Sequence, residues 1–430
     1  MKLLCTLKVA FIAIISFLLF SCSANKAPKT NVRHADWVKD AVLYEVNLRQ
    51  YTPGSSLREF EAHIDRLHNL GVDILWFMPV HPIGVVERKG ELGSYYSVRD
   101  YKDINPEFGN LEDFRRVVNK AHSYGMKVIL DWVANHTSRD HNWISEHPDW
   151  YNYDENGVII APYEWSDVAD LNFDNPQMRE GMHDAMKFWI EEYGIDGYRC
   201  DVAWGVPVDF WDEEFARLRE IREDLFFLAE AEDPALVIDA FDAYYGWETH
   251  HAMNKLAKGE MDVAGFTALL KDHAERFPTD AIQLNFITNH DENSWNGTEF
   301  ERMGGAVKQM AALSFVLPGM PMLYTGQEVG LSKRLEFFIK DTVNWEDPEN
   351  YSLFYRNLIA MRDAHPAMYA PAAGAPIKIL QTDSENVLAF RRSNNIDSFT
   401  AIFNFSPEPV SVQIEGLNYN LEGYGYKIVF

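Results

Sequence analysis

The sequence predicts an α/β protein built on a (β/α)8 barrel, with a small subdomain inserted after the third strand and an antiparallel β domain at the C-terminus. Helical stretches that end in glycine alternate with short apolar runs, which is typical of parallel strands joined by crossover helices. Roughly 45 residues separate the third strand from the next helix, too many for an ordinary connection. After residue 365 apolar and polar residues alternate, as in antiparallel sheets.

The first half of the chain supplies the four clearest strands. VLYEVN at 42–47 predicts the first, and a helix over SSLREFEAHIDRLHNLG leads to the second, VDILWFMP. That helix begins with Ser56 and Glu59 in a capping-box arrangement and ends at Gly71. The helix NLEDFRRVVNKAHSYG leads to the third strand, KVILDW, and NPQMREGMHDAMKFWIEEYG leads to the fourth, IDGYRCD.

The second half contains four weaker strand candidates: LFFLAE at 225–230, AYYGW at 243–247, LNFITNH at 284–290 and MLYTG at 322–326. Eight parallel strands fit a closed barrel. An open, doubly wound sheet is the alternative fold. No GxGxxG follows the first strand, so the sequence slightly favours the barrel.

Composition and charge narrow the classes of function. Of the 430 residues, 47% are hydrophobic, so the chain can bury a large core and disorder is not expected. The formal net charge of −26 argues against a nucleic-acid partner, because phosphate binding requires clustered lysine and arginine. Aromatic residues make up 14%, which is compatible with a site that stacks on flat, apolar ligand faces.

The N-terminus resembles the signal peptide of a bacterial lipoprotein. Two lysines precede an apolar run of about 12 residues, which is too short to span a bilayer. The LFSC that follows resembles a lipobox, which would make Cys22 the acylated first residue of the mature chain. An ordinary cleavage site or a short buried helix is the alternative. Cys5 would leave with the signal, so Cys200 would be alone and no structural disulfide is expected.

These patterns predict a domain organisation with five parts. They are a signal peptide at 1–22, a polar tether at 23–36, a catalytic barrel at 37–365, an inserted subdomain at about 135–172 within it, and a C-terminal β domain at 366–430. We expect a monomer that is lipid-anchored in the bacterial cell envelope, in the periplasm or at the cell surface.

In barrels of this kind the active site lies at the C-terminal ends of the strands. The polar residues there are Asp131, Asn135 and His136 after the third strand, Arg199 and Asp201 on the fourth, Glu230 on the fifth, and Asn289, His290 and Asp291 on the seventh. Each could be structural when taken singly. Four acids, two histidines and an arginine at one rim are hard to explain by capping alone.

The spacing in GYRCD predicts an ionised nucleophile beside a permanent cation. In a strand Arg199 and Asp201 lie on the same face, and a nearby cation lowers the pKa of an acid by roughly one to three units. Glu230, in a partly dry cleft among negative charges, is expected to have a raised pKa and to keep its proton. A nucleophilic carboxylate opposite a protonated one is the arrangement of a retaining glycosidase.

The motifs DWVANH, GYRCD, FLAE and FITNHD resemble, in order and spacing, the four short motifs of the α-amylase family of glycoside hydrolases, family 13. VADLN at 168–172 is similar to its fifth motif, and GSYYSVRDY and PGMPMLYTGQE also resemble family segments. The resemblance extends from about residue 36 to the C-terminus. One such motif is weak evidence, whereas four in order at successive strand ends are specific.

The resemblance implies roles for three acids. Asp201 would be the nucleophile, Glu230 the general acid/base, and Asp291 the third acid, which grips sugar hydroxyls as the ring distorts. Glu232 is the competitor for the acid/base role because alternation places it on the same face as Glu230. Glu230 is the one that matches the motif.

The resemblance also implies the residues that bind the substrate. His136 and His290 would donate hydrogen bonds to hydroxyls of the cleaved sugar, and Tyr96 would stack beneath it, with Tyr95 as the alternative. Arg199 is also expected to be a substrate-binding residue. Zinc bound by the two histidines is disfavoured because both already have sugar-binding roles.

Many family members bind a structural calcium ion between the barrel and the inserted subdomain. Asn135 and Asp170 fall on two of the ligand positions, and backbone carbonyls would complete the oxygen shell. Ordinary loop hydrogen bonding is the alternative role for both residues. TPGSSLREF, after the first strand, lacks the acidic calcium loop of some relatives.

One departure from the family pattern concerns the leaving-group side of the cleft. Many α-amylases continue the second motif with Lys-His, whereas this chain has Trp204 and Gly205. A tryptophan offers a stacking face and no charge. Its alternative role is packing under the insertion, so the preferred linkage and chain length stay open.

Together these features predict an α-amylase-like enzyme that hydrolyses α-1,4-glucosidic bonds in starch-like glucans and maltooligosaccharides. An α-1,6-glucosidase, a cyclodextrin-hydrolysing enzyme or a transglycosylase of the same family is the alternative. A glycan-binding lipoprotein on an inactive barrel is the hypothesis from another class. Such a protein would usually lack the nucleophile or the acid, and none of the three acids is missing here.

Overall fold

The computed structural model describes residues 28–430. The strands are β1 (Leu43–Val46), β2 (Ile74–Phe77), β3 (Lys127–Val133), β4 (His136–Ser138), β5 (Val168–Asp170), β6 (Gly197–Asp201), β7 (Phe226–Ala229), β8 (Ala243–Tyr245), β9 (Ile282–Asn285), β10 (Met320–Tyr324), β11 (Ile377–Ile379), β12 (Val387–Ser393), β13 (Ser398–Asn404), β14 (Val410–Ile414), β15 (Leu417–Leu421) and β16 (Tyr426–Val429). The predicted signal peptide and Cys22 lie outside the described residues, so acylation stays a prediction.

The helices connect and cover these strands. They are α1 (Leu48–Tyr51), α2 (Leu57–Glu61), α3 (Ile64–Leu70), α4 (Leu111–Ser123), α5 (Asn142–Glu146), α6 (Pro176–Tyr193), α7 (Val208–Ile221), α8 (Leu236–Asp239), α9 (Trp247–Ala257), α10 (Val263–Arg276), α11 (Glu299–Met303), α12 (Val307–Val316) and α13 (Tyr351–Ala364). None of the helices within residues 28–430 combines the length and the apolar character needed to cross a membrane.

Eight parallel strands close into a barrel in the order β1-β10-β9-β8-β7-β6-β3-β2, which confirms the predicted (β/α)8 TIM barrel. Residues that point into the barrel, such as Ile129, Phe226 and Leu228, form one apolar cluster. Residues on the outer face pack against the helices in a second cluster. Because both faces are buried, the strands read as continuous apolar runs rather than alternating ones.

A glycine permits close approach of two strands beneath the site. Gly197 begins β6 with a φ of +149°, and a Cβ there would lie 1.8 Å from the carbonyl oxygen of Phe226 on β7. No other residue fits this position without moving the strands apart. The glycine therefore allows two strands to lie side by side: β6, which ends at Asp201, and β7, which is followed by Glu230.

Two additions to the barrel match the prediction. After β3, the antiparallel pair β4–β5 and the short helix α5 form the inserted subdomain. After α13, β11-β12-β13-β16 form a four-stranded sheet beside the β14–β15 hairpin. The numerical domain limits given above stay predictions.

Buried arginines join the C-terminal sheets to the barrel. Arg392 on β12 donates hydrogen bonds to the carbonyl oxygens of Val316, at 3.0 Å, and Tyr369, at 2.9 Å. Arg362 on α13 donates to the carbonyl oxygen of Gly319 at 2.9 Å. Burial lowers the pKa of Arg392 to about 9. Carbonyl oxygens thus take the place of carboxylates as partners for these buried side chains.

Candidate active site

One guanidinium connects three carboxylates at the C-terminal rim of the barrel. Nη1 of Arg199 lies 2.7 Å from Oδ1 of Asp131 and 3.2 Å from Oδ1 of Asp201. Its Nη2 lies 3.1 Å from Oε1 of Glu230. The register of the parallel strands, in which Asp131 on β3 is paired with Arg199 on β6, brings these side chains together. The structure therefore places the predicted nucleophile and acid/base on the same cation.

The two oxygens of Asp201 differ in their surroundings. Oδ1 accepts a hydrogen bond from Arg199. Oδ2 is buried and has no hydrogen-bond partner within residues 28–430. A buried carboxylate oxygen without a partner is costly in free energy and is rare in native proteins. Of the oxygens of Asp201 and Glu230, Oδ2 of Asp201 is the one that is buried without a partner within residues 28–430.

A strained backbone turn holds Glu230. The residue directly after Asp201, Val202, has φ 45° and ψ 44°, in the left-handed region that β-branched residues rarely adopt. Its amide N–H donates to Oε2 of Glu230 at 2.8 Å. Such strain persists where the surrounding structure imposes it, often at functional sites. Here it orients Glu230 toward Asp201.

The pKa of Asp201 corrects the expectation from the sequence. Arg199 was expected to lower it, but burial and the neighbouring charge of Glu230 raise the pKa of Asp201 well above its ordinary value. Burial is the largest cause, and the one guanidinium that opposes it is shared among three carboxylates. Burial likewise raises the pKa of Asp131 to about 6 despite its close contact with Arg199. Burial therefore outweighs the guanidinium at both of these carboxyl groups.

Tyr96 and His290 lie beside this cluster. Tyr96 donates its hydroxyl proton to Oδ2 of Asp131 at 3.2 Å, and the hydroxyl oxygen of Tyr96 lies 2.8 Å from Nε2 of His290. Asp291 Oδ2 is 3.3 Å from that nitrogen. Tyr95 is instead 1% exposed and donates to the side chain of Asn47 in the core. Of the two tyrosines, Tyr96 is the one that contacts the carboxylate cluster.

His136 comes from the inserted subdomain. It is buried at the start of β4, and its Nδ1 lies 3.2 Å from Nδ2 of the Asn135 side chain. Burial lowers the pKa of His136 to about 4, so the ring is neutral near pH 7. Its ring lies 5.6 Å from that of Trp165. The subdomain thus contributes an uncharged hydrogen-bonding ring to the rim.

Glu232 lies apart from the carboxylate cluster. Its Oε2 accepts a hydrogen bond from the backbone N–H of Glu248 at 2.7 Å, and its Oε1 lies 3.4 Å from His273 on α10. Burial raises the pKa of Glu232 to about 7. Since Arg199 contacts Glu230 and Glu232 lies against helices outside the barrel, the geometry favours Glu230 as the acid/base.

Trp204 is exposed rather than packed beneath the insertion. It is 56% exposed, and its ring lies 5.4 Å from that of Tyr163, which is itself exposed. Tyr163 neighbours Trp165 at 4.8 Å, so an aromatic row leads from His136 to Trp204. No motif pointed to Tyr163, although its aromatic-rich segment, PYEW, was visible within the insertion.

A second exposed aromatic residue lies on another side of Tyr96. Phe337 is nearly parallel to Tyr96 at 6.4 Å, and Trp295 lies 5.2 Å from Phe337. Trp295 is 52% exposed and belongs to a π-helical turn, Glu292–Asn296, directly after Asp291. Its proximity in sequence to FITNHD was the only signal available. Trp295 is thus connected to Tyr96 through Phe337, and Trp204 to His136 through Tyr163 and Trp165.

The two expected calcium ligands are close neighbours. Asp170 on β5 pairs with His136 on β4, next to Asn135. Partial burial raises the pKa of Asp170, whose Oδ2 accepts from Asn152 at 2.7 Å. Oδ1 of Asn135 lies 2.8 Å from where a Cβ on Gly205 would be, so the glycine leaves this oxygen room. A carboxylate and an amide oxygen are the ligand types that calcium takes, and the donor set is compatible with the ion.

A closed barrel whose C-terminal rim carries paired carboxylates is typical of glycoside hydrolases. The family model described as the alpha-amylase catalytic domain matches residues 56–157 and 150–365. The chain therefore belongs to the α-amylase family.

Individual relatives are similar over most of the chain. Alpha-amylase MalA of Haloarcula japonica is 30% identical over 393 residues, covering 87% of this chain and 57% of the relative. The chain thus spans little more than half of that protein. A maltogenic alpha-amylase of Bacillus acidopullulyticus is 26% identical over 427 residues, covering 87% of this chain and 71% of the relative. The crystal structure of an alpha-amylase from Lactobacillus plantarum is 27% identical with a TM-score of 0.83, covering 91% of this chain and 98% of the other.

Proposed function

We propose that the protein is a retaining glycoside hydrolase that cleaves α-1,4-glucosidic bonds in starch-like glucans and maltooligosaccharides. The observation that carries the proposal is the contact of Asp201 and Glu230 with one guanidinium, with Oδ2 of Asp201 left unpartnered. Retaining enzymes need two carboxyl groups close together, about 5–5.5 Å apart, one as nucleophile and one as acid. Membership of the α-amylase family supports the same assignment.

In the first step Oδ2 of Asp201 bonds to the anomeric carbon, and the bond from that carbon to the leaving oxygen breaks. Glu230 transfers its proton to the leaving oxygen. In the second step Glu230 takes a proton from water, the water oxygen bonds to the anomeric carbon, and Asp201 is released as a carboxylate. Two inversions retain the α configuration. Tyr96, His136, His290 and Asp291 hold the sugar while its ring distorts.

A substrate panel with product analysis tests this proposal. We expect rapid cleavage of amylose and maltohexaose, with the α-anomer formed first in NMR spectra recorded during hydrolysis. Granular starch should be a poor substrate, because the chain offers a short cleft and little remote binding energy. Preferred cleavage of pullulan or isomaltose at α-1,6 bonds would replace the α-1,4 assignment. Preferred cleavage of cyclodextrins, whose bonds are also α-1,4, would instead replace starch-like glucans as the substrate. The β-anomer as first product would overturn the retaining mechanism.

Replacing Trp204 by Ala should reduce kcat/KM on maltotetraose and longer substrates about tenfold or less. We expect the exposed ring of Trp204, which lies beside Tyr163, to stack on the sugar after the cleaved bond. Such a contact contributes roughly 0.5–1.5 kcal/mol. Tyr124→Ala is the control, since Tyr124 is exposed at the end of α4 that precedes β3, away from the strands' C-terminal ends. Parent-like kinetics of Trp204→Ala would contradict the stacking role.

The proposal includes a structural calcium ion held by Asn135 and Asp170. An ion that binds only the folded protein stabilises the folded state. Chelation of calcium should therefore lower Tm by about 2–4 °C, and added CaCl2 should restore the Tm. Asp170→Asn should remove this calcium-dependent part, whereas Asp174→Asn, an exposed neighbour, should keep it. A Tm that is unaffected by both chelator and calcium would contradict the site.

A further inference from the structure

A buried carboxylate on the first strand lies behind His290. Glu45 on β1 is completely buried, and its Oε1 accepts a hydrogen bond from Nδ1 of His290 at 2.5 Å. Its Oε2 is buried without a hydrogen-bond partner within residues 28–430. A buried carboxylate is stable as an ion only when a charged or hydrogen-bonding partner compensates it. Burial raises the pKa of Glu45, and the charge of His290 opposes this, so Glu45 is held as a carboxylate only when Nδ1 of His290 carries a proton.

The other nitrogen of His290 also faces acceptors. Nε2 lies 2.8 Å from the hydroxyl oxygen of Tyr96 and 3.3 Å from Oδ2 of Asp291. Tyr96 directs its own proton to Asp131, at 3.2 Å, and therefore presents a lone pair to His290. A neutral imidazole protonates only one nitrogen. With Glu45 ionised and Tyr96 donating to Asp131, both nitrogens of His290 face acceptors, and both must then carry protons.

We propose that Glu45 is a positioning residue that holds His290 as an imidazolium, with its Nε2–H directed at Tyr96 and at the sugar that binds there. This inference rests on the proposed function for the sugar contact, but the pairing of Glu45 with His290 does not. His290 would then donate a charge-assisted hydrogen bond, which is roughly twice as strong as a neutral one. His136, the other histidine of the rim, stays neutral.

The charged groups around His290 agree with this arrangement. Glu45 from β1 and Asp291 from its own segment favour the cation, Arg199 from β6 opposes it, and Asp131 from β3 lies behind Tyr96. Burial acts to lower the pKa of His290, but the charges of Asp291 and Glu45 outweigh it and raise the pKa to about 9. The folded protein therefore keeps the proton up to about pH 9 and loses it above that value.

Glu45→Gln tests the inference with little change of shape, because the amide oxygen can still accept from Nδ1–H. The negative charge is lost, so the pKa of His290 should fall by about one unit or more. In NMR spectra of 15N-histidine-labelled protein without substrate, the His290 titration should move to lower pH. The alkaline limb of kcat/KM against pH should move with it. His290→Gln assigns the resonance.

Glu214→Gln is the matched control. Glu214 on α7 is a buried carboxylate that lies 3.0 Å from Nδ1 of His183 on α6, away from the rim. Its replacement should leave the His290 titration and the pH profile unchanged. An unshifted His290 titration in Glu45→Gln overturns the inference. A neutral His290 at pH 7 in the parent protein overturns it as well, and this measurement does not depend on whether the variant folds. If the parent protein did not hydrolyse glucans, the proposed function would be contradicted, but the pairing of Glu45 with His290 would not.

Discussion

Asp201→Asn should lower kcat on maltohexaose on the order of 10⁴-fold or more, with Tm within a few degrees of the parent. An amide is a poor nucleophile, so the glycosyl–enzyme bond cannot form. The amide oxygen can keep the contact that Oδ1 makes with Arg199, at 3.2 Å in the parent, so the loss would be chemical rather than structural. Steady-state kinetics and thermal unfolding of both proteins measure the two effects.

Asp113→Asn is the control for this substitution. Asp113 on α4 is also a buried, ion-paired aspartate, 2.8 Å from Arg58 and 2.9 Å from Arg116, but it lies on the outside of the barrel. Its replacement should leave kcat within about twofold, because its partners Arg58 and Arg116 lie on helices α2 and α4 and not at the carboxylate cluster. If Asp201→Asn retained a tenth of the parent's kcat, Asp201 could not be the nucleophile.

The fold could be predicted because local signals agree along most of the chain. Capped helices end in glycine and short apolar strands follow, as at Gly71 and β2. The seventh barrel strand was predicted too long. LNFITNH suggested a strand to residue 290, but β9 ends at Asn285. Phe286 and Ile287 are apolar because they are buried beyond the strand, and apolar character alone does not separate a strand from a buried loop.

The site could be predicted only where motifs mark it. Asp201, Glu230 and His290 stand in recognisable segments, and the structure brings them to one rim. Glu45 is 245 residues from His290, and only its charge within an apolar strand sets it apart. The division of Arg199 among three carboxylates depends on strand register, so the direction of the Asp201 pKa could not be read from GYRCD. Trp295 and Tyr163 are candidates for substrate contact because their rings are exposed. Exposure cannot be predicted from the spacing of residues in the sequence.

Glu230→Gln should show a loss of activity that depends on the leaving group. On maltohexaose the first step needs a proton for the departing sugar, so kcat/KM should fall about 10²–10⁴-fold. α-Maltosyl fluoride needs no such proton, and its first step should be nearly unaffected. The variant would then be limited by the second step, because no base activates water. Added azide needs no base and should restore turnover, with α-maltosyl azide as the product.

Glu232→Gln provides the matched control, since Glu232 lies two residues further on and contacts His273 and the backbone of Glu248 rather than Arg199. It should show no leaving-group dependence and no rescue by azide. If Glu232→Gln gave the azide-rescued pattern and Glu230→Gln did not, the acid/base would be Glu232. If both variants lost activity equally on maltohexaose and on the fluoride, proton transfer to the leaving group would not be the step that either residue supports. A large loss of kcat/KM on maltohexaose but not on the fluoride, seen in Glu230→Gln alone, would assign the proton to Glu230. Val202 and Arg199 both contact this residue.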